Sequence, residues 1–498
     1  MAEEHGQVHI LLPTTKSNVN LCKTLLTMII LGYPTPWLIA WGAGDADTAL
    51  MGGGTHYTKI RSTLEYLNDE KRRAKPGFED ELVFMLDSYD IWFQLPIDIL
   101  LSRYKTILRE ENERVAHRMG KAYNREQVHT SVIFGGGKRC SPNEIHTVAC
   151  YPIPESPLPK DTHQGNTNTA LGRNLHTSFN TRYLNSGYMI GPVKDVRPLL
   201  TRAQEKLEDC IDRTRVWFDN GSGDADRCYH GSDQSIFVEM MGEQEFHREV
   251  MRRHHRGFMD PVLDKIIADR SGADLEPTQI MGVPISDRLN PAVTHEYHDP
   301  TYIPGKPFEF GIGIDYWSAL GHQTSNAEFD LRYIRHDKPI EPQVGYQGMF
   351  DCPAKTLMAE DLPSGPLTHL KDEPNRWETM PLYTEICIGA IPVMIHHNSI
   401  DKRQRETQWD RTWWHGRSRA LLEMQRSRGA PQLTQGIPTG SGEWLTWEEL
   451  CPRSVEPELF RDVTKAEVEA ELMKGLGAAT DTALGAARKR SLISRHSH

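Results

Sequence analysis

The chain has 498 residues, 38% of them hydrophobic and 25% charged, the balance of a folded, water-facing protein with room for one large domain or two. Its 57 basic and 68 acidic residues leave a net charge of −11, which excludes a general nucleic-acid binder but not an anionic small ligand whose charge a metal ion offsets. No run of about 18 apolar residues occurs, so no transmembrane segment is expected. The start, Met1 to His5, lacks the basic and apolar regions of a secretory signal, which leaves a cytosolic protein or one whose targeting segment is absent from this sequence.

In chain order, Val8 to Leu12 is an apolar run, Val19 to Leu31 a helical pattern, and Trp37 to Trp41 a second apolar run. That strand–helix–strand order predicts a parallel βαβ unit. Gly52-Gly53-Gly54 precedes a helix from Tyr57 to Leu67, and Leu82 to Leu86 is a buried strand running into Asp87-Ser88-Tyr89-Asp90. Pro96 to Arg109 predicts a helix with proline at its start, where a missing N–H costs little. Ser131 to Phe134 and Tyr188 to Gly191 read as strands, on either side of an excursion rich in Pro, Thr, Asn and His over 141–180. Val196 to Val216 and Ser232 to Met241 read as helices, and 243–307 as a second insertion without a clear period. Phe310 to Tyr316 and Pro392 to His396 read as late strands, and Arg419 to Arg426 and Lys465 to Lys474 as helices. The expected organisation is one α/β domain over 7–415 with two insertions, a helical extension over 416–486 and a disordered basic tail over 487–498. Eight cysteines form no CxxC pair, which excludes zinc-ribbon and thioredoxin patterns and leaves buried thiols and disulfides both open.

Four segments could carry chemistry. Val83 to Asp90 delivers two carboxylates, Asp87 and Asp90, at the carboxyl end of a buried strand, where open α/β sheets bind ligands and where two carboxylates can share one hard cation. A turn cap plus a solvated neighbour is the plainer alternative. Ala390 to Asn398 ends a second strand in His396-His397-Asn398, so that one imidazole with two carboxylates would make a Mn²⁺ set, and Lys402 could reach a phosphate as a point charge. Leu184-Asn185-Ser186-Gly187 and, further on, Asp233-Gln234 offer groups suited to sugar hydroxyls. The triple glycine could bring backbone amides close to a ligand; it is neither GxGxxG nor a P-loop, which disfavours a dinucleotide or kinase-type site.

Taken together and in order, Pro13-Thr14-Thr15, the triple glycine, Leu86 to Asp90, Arg182 to Gly191, Asp233-Gln234, Asp315 through Gln323, and Ile391 to Asn398 with Lys402 resemble the glycosyltransferase domain of procollagen lysyl hydroxylases and its fungal relatives. The resemblance implies a GT-A fold, with a single Rossmann-like, mostly parallel sheet flanked by helices. It implies transfer of a hexose, glucose or galactose, from a UDP-sugar to a glycan or protein-linked sugar acceptor. It implies Mn²⁺ or Mg²⁺ held by Asp87, Asp90 and His396. Thr14, Thr15 and Lys59 would lie near the uridine, with Ser88 and Gly187 also lining the donor site. Asn185, Asp233 and Gln234 would face the donor sugar, the first two in the chemistry, and Asn398 and Lys402 would hold the diphosphate. Secretory-pathway work is implied too. The chain departs from the family where Cys140-Ser141-Pro142 replaces Cys-Trp-Pro and where His230-Gly231-Ser232 replaces an acidic run, both near sugar and acceptor rather than metal. A catalytically silent UDP-sugar or glycan binder and a sugar nucleotidyltransferase are the competing readings.

Overall fold

The computed structural model describes residues 7–43, 55–143, 145, 147–170, 175–220, 232–257, 302–327, 329–345, 352, 361–362, 376–399, 401 and 403–467. The triple glycine 52–54, Lys402, most of the insertion (258–301), the helical pattern beyond 467 and the basic tail lie outside the described residues.

The expected βαβ unit is present. Strand β1 (Val8–Pro13) leads through helix α1 (Val19–Ile30) to β2 (Trp37–Ile39), which pairs parallel with β1. Asn18 starts α1 by accepting from the backbone of Asn20 at 2.9 Å and Leu21 at 3.0 Å, a side-chain cap on two otherwise orphaned amides. Helix α2 (Thr55–Asn68) follows, then β3 (Leu82–Leu86), which lies parallel to β1 on its other edge. Next come β4 (Ile91–Phe93), helix α3 (Ile97–Met119) and β5 (Val132–Gly137). Strand β6 (Tyr183–Pro192) is one continuous strand where the sequence suggested only its second half. Helix α4 (Val193–Asn220), helix α5 (Asp233–His254) and β7 (Ile312–Ile314) complete this part.

The main sheet has six strands in the order β2-β1-β3-β6-β5-β7. It is mostly parallel, with β6 antiparallel to both its neighbours. Period-two alternation sorts its side chains into two cores. Ile10, Leu12, Phe84, Leu86 and Ile190 face α1 and α3, while Leu11, Val83, Met85 and Met189 face α2, α4 and α5. Helices therefore cover both faces, as a sheet with near-continuous apolar strands requires.

Several boundaries differ from the sequence reading. Helix α3 runs ten residues past Arg109 because its apolar stripe continues through Val115 and Met119, and Gly120, at φ 55°, ends it. Helix α5 continues past Met241 to His254, where repeating Glu and Arg pair with one another on a buried face: Arg248 with Glu245 at 2.9 Å and Arg252 with Glu249 at 2.8 Å. The 135–137 glycines, expected after a strand, lie inside β5, where a Cβ on Gly136 would come within 2.6 Å of the Asp315 carbonyl.

The late strand does not join the main sheet. Strand β11 (Met394–His396) sits between β4 and β8 (Gly321–Gln323) in a separate three-stranded sheet. Strands β9 (Leu331–Ile334) and β10 (Leu382–Glu385) form an antiparallel pair, so a single sheet is not the whole architecture. Beyond residue 416, helix α6 (Ser418–Ser427) packs onto α1, with Leu421, Trp447, Leu450 and Leu459 in the same core, and the ribbon of β12 (Ile437–Pro438) with β13 (Trp444–Leu445) lies beside β2. A disulfide joins Cys22 to Cys451, others join Cys140 to Cys150 and Cys352 to Cys387, and no cysteine among the described side chains is free.

Candidate metal centre

The carboxyl end of β3, the end of β11, the start of β6 and the N-terminus of α5 meet at one edge of the molecule. Asp87 leaves β3 with its amide bonded to the Gly187 carbonyl at 2.7 Å. His396 ends β11, whose antiparallel pairing with β4 places it opposite Ile91, the residue after Asp90. The result brings together donor atoms of Asp87, Asp90 and His396, all within 4.8 Å of one another. His396 Nε2 lies 3.7 Å from Asp87 Oδ2 and 3.6 Å from Asp90 Oδ1. Two metal–ligand bonds of about 2.1 Å reach across such a gap, so one hard cation could touch all three groups. Two carboxylates and an imidazole are a donor set that suits Mn²⁺ or Mg²⁺.

Gly187 is what lets His396 sit there. A Cβ on Gly187 would stand 2.5 Å from His396 Nδ1 and 2.7 Å from Nε2, closer than any real side chain packs. The imidazole lies flat against bare backbone. Its Nδ1 is buried with no hydrogen-bond partner among the described residues.

Lys59, on α2, is buried and reaches across the cleft. Its ammonium donates to Asp87 Oδ1 at 2.8 Å, to Asp233 Oδ2 at 2.9 Å and to the Ser186 carbonyl at 2.9 Å. Burial works against this charge, but Asp233 and Asp87 outweigh it and hold the lysine above its ordinary value. Burial pushes the Asp87 carboxyl up, Lys59 pulls it back, and Asp90 adds to the upward push. Asp87 thus has divided duties: Oδ1 belongs to Lys59, and Oδ2 faces His396. Lys59, expected beside a uridine, joins Asp87 of this carboxylate–imidazole cluster to Asp233, the first residue of α5.

The other expected residues are placed as follows. Ser88 is buried and donates to the Pro13 carbonyl at 2.8 Å, and Tyr89 donates to the Lys16 carbonyl at 2.7 Å, so the Thr14–Lys16 loop is laced onto the carboxylate turn. Thr14 is buried with its amide on the Ile39 carbonyl at 2.8 Å, and Thr15 accepts from Gly42 at 3.0 Å. Asn185 accepts from the Gly187 amide at 3.1 Å. Gln234 spends its amide on β6 backbone, accepting from Ser186 at 2.7 Å and donating to Leu184 at 2.7 Å. Its role in the structure is to fix the Asn185–Gly187 segment. Asn398 accepts from the Ser325 amide and donates to Gln323, both at 3.0 Å. Its neighbour His397 turns away to lie 3.9 Å from the Trp92 ring, where burial lowers its pKa to about 3. Sequence reasoning did not find the bridging role of Lys59, which needs the fold to bring residues 59, 87 and 233 together.

No family model matches the chain, and no curated protein matches it. The geometry of this cleft is therefore what carries a functional reading.

Proposed function

We propose that the cleft transfers a hexose from a UDP-sugar, as the resemblance in the sequence implies. The observation that carries this reading is the convergence of Asp87, Asp90 and His396 at the carboxyl end of β3, with Asp233 linked to it through Lys59. Asp87, Asp90 and His396 would hold Mn²⁺ or Mg²⁺, whose charge stabilises a diphosphate leaving group as its bond to the sugar breaks. Gly187 leaves the space that His396 needs, and Lys59 holds Asp87 so that Oδ2 points at the imidazole. Asp233 and Asn185 line the neighbouring edge, where they can orient a sugar through its hydroxyls. Glycan or glycoprotein is the acceptor class, and a net charge of −11 argues against a nucleic-acid partner. No helix among the described residues is long and apolar enough to cross a membrane. Secretory-pathway residence belongs to the same proposal, supported by three disulfides among the described residues, since such bonds persist in oxidising compartments.

The test is UDP release with a panel of UDP-sugars, each with Mn²⁺, with Mg²⁺ and with excess chelator, followed by NMR of the product anomer. Release with one UDP-hexose that stops in chelator supports the reading. Undiminished turnover in chelator, or UDP-sugar binding with no turnover on any acceptor glycan, overturns it.

A further inference from the structure

A second cluster of ligating side chains lies away from the cleft. Residues 163, 330 and 387 are far apart in the chain, but the fold brings a His163 ring nitrogen, an Asp330 oxygen and the Cys387 sulfur within 4.8 Å of one another, all three residues buried. Asp330 precedes β9 and Cys387 follows β10, so the antiparallel pairing of these strands sets the carboxylate beside the sulfur, with Asp330 Oδ1 3.6 Å from Cys387 Sγ. His163 comes from the excursion over 141–180. His163 and Asp330 border a cavity of about 20 Å³, room for one water-sized or ion-sized occupant, and Ile388, next to Cys387 in the chain, lines it too.

Two independent features ask for an occupant. His163 Nδ1 is buried and finds no hydrogen-bond partner among the described residues. Asn180 also lines the cavity; its Nδ2 donates to the Pro159 carbonyl at 3.0 Å, while its Oδ1 is buried without a partner among the described residues. A buried polar atom without a partner is unfavourable, and two of them face the same small space.

Charge says which occupant. Lys138 pairs with Asp330 Oδ2, leaving Oδ1 toward the sulfur, and Glu385 lies in the same wall. Lys138 offsets Asp330, and burial pushes the Glu385 carboxyl up to about 8, so a Cys387 thiolate would give the wall a net negative charge that a cation meets. Imidazole, carboxylate and thiolate together select Zn²⁺ over the hard ions suited to the cleft. In the structure the sulfur is not a thiolate: Cys387 is joined to Cys352. A disulfide sulfur is a poor ligand, so the bridge keeps the site closed to metal.

We propose that the Cys352–Cys387 bridge masks a zinc site built from His163, Asp330 and Cys387, opened by reduction. A dithiol reductant gives two electrons and two protons to the bridge and becomes a disulfide itself, leaving two thiols. Zn²⁺ then binds Cys387 Sγ as its proton leaves to solvent, with His163 and Asp330 as further ligands and water completing a tetrahedron. This site stands independently of the chemistry assigned to the cleft.

The experiment uses the full chain and Co²⁺, whose thiolate charge-transfer absorption reports sulfur ligation that the sulfur-free cleft cannot give. Cys352→Ala frees Cys387 without reducing the other bridges. Unreduced Cys352→Ala should bind one more equivalent of Co²⁺ than the wild type, with the thiolate band. Adding His163→Ala or Cys387→Ala should remove both the band and the extra equivalent, and Zn²⁺ should displace the Co²⁺. A folded Cys352→Ala protein with no thiolate band overturns the proposal. Should that variant not fold, the reduced wild type decides: Zn²⁺ should protect Cys387, but not Cys352, from alkylation mapped by mass spectrometry, and equal labelling with and without Zn²⁺ overturns the proposal.

Discussion

Replacing Gly187 by alanine tests the seat of His396 directly. The new Cβ would lie 2.1 Å from the ring Cε1 and 2.5 and 2.7 Å from the two ring nitrogens. Ordinary contact needs about 3.5–4.0 Å, so one partner must withdraw by roughly 1.5 Å. Strand β6 is the less free of the two, paired with β3 on one edge and β5 on the other, with the Gly187 carbonyl held by the Asp87 amide at 2.7 Å. The ring therefore moves. Overpacking of this kind costs about 1–3 kcal/mol of stability. A displaced ligand should weaken Mn²⁺ binding by about 10–100-fold, or roughly 1.4–2.7 kcal/mol. The assay is a double-mutant cycle over wild type, Gly187→Ala, His396→Ala and the pair. Denaturant unfolding gives stability, and electron paramagnetic resonance of free Mn²⁺ gives affinity. In the His396→Ala background the methyl group fills vacated space, so most of its stability cost should vanish, with a coupling of about 1–2 kcal/mol. An equal cost with and without the imidazole would place the strain in the β6 backbone, and wild-type Mn²⁺ affinity in Gly187→Ala would remove His396 from the metal set.

Asp233→Ala strips the buried Lys59 of one carboxylate and should lower stability by about 1–3 kcal/mol, whereas Asp90→Ala, which relieves a like charge beside Asp87, should cost little; equal urea midpoints for the two variants would contradict the Lys59 bridge. His397 is held neutral by burial, with its pKa lowered to about 3, so the unfolded chain binds the extra proton and stability falls as pH drops from about 6.5 toward 3. His397→Phe keeps a ring against Trp92 and should flatten that acid limb by up to about 3 kcal/mol between pH 7 and pH 4, checked by unfolding at both; parallel pH profiles for the two proteins would refute it. Removing the Cys22–Cys451 bridge by paired alanines should cost about 2–5 kcal/mol, read as a lower Tm, and an unchanged Tm would mean that packing alone holds the C-terminal segment on α1.

The sequence was most legible where local pattern and fold agree. Leu82 to Leu86 is apolar throughout because both faces of β3 are covered, and that strand delivered Asp87 where the argument expected it. The βαβ start was readable for the same reason, from its period and from Asn18. Strand β6 was only half visible, because Asn185, Ser186 and Gly187 are poor strand formers, held by Gln234 where the pairing with β5 shifts register. The separate small sheet was not legible: β4, β8 and β11 are three residues each, too short to show a period. In the site, Asp87, Asp90 and His396 could be named one by one, but their meeting depends on β11 pairing with β4. The partners of Gln234 and Asn398 were not legible, because an amide's type does not say which neighbours it will bind.

The bridge from Cys22 to Cys451 spans 429 positions. At about 5–20 residues per second, a ribosome needs roughly 20–90 s to make the second cysteine after the first. Throughout that time α1 lacks the cover supplied by Leu421, Trp447, Leu450 and Leu459, even once the strands of the sheet have been made. The nascent protein thus shows one apolar face of its first helix until nearly the last of the described residues has emerged. A chain cut at residue 415 would never cover it. That makes the C-terminal segment the closing piece of the fold's opening unit, and its arrival the event that ends the period in which the growing chain is open to aggregation.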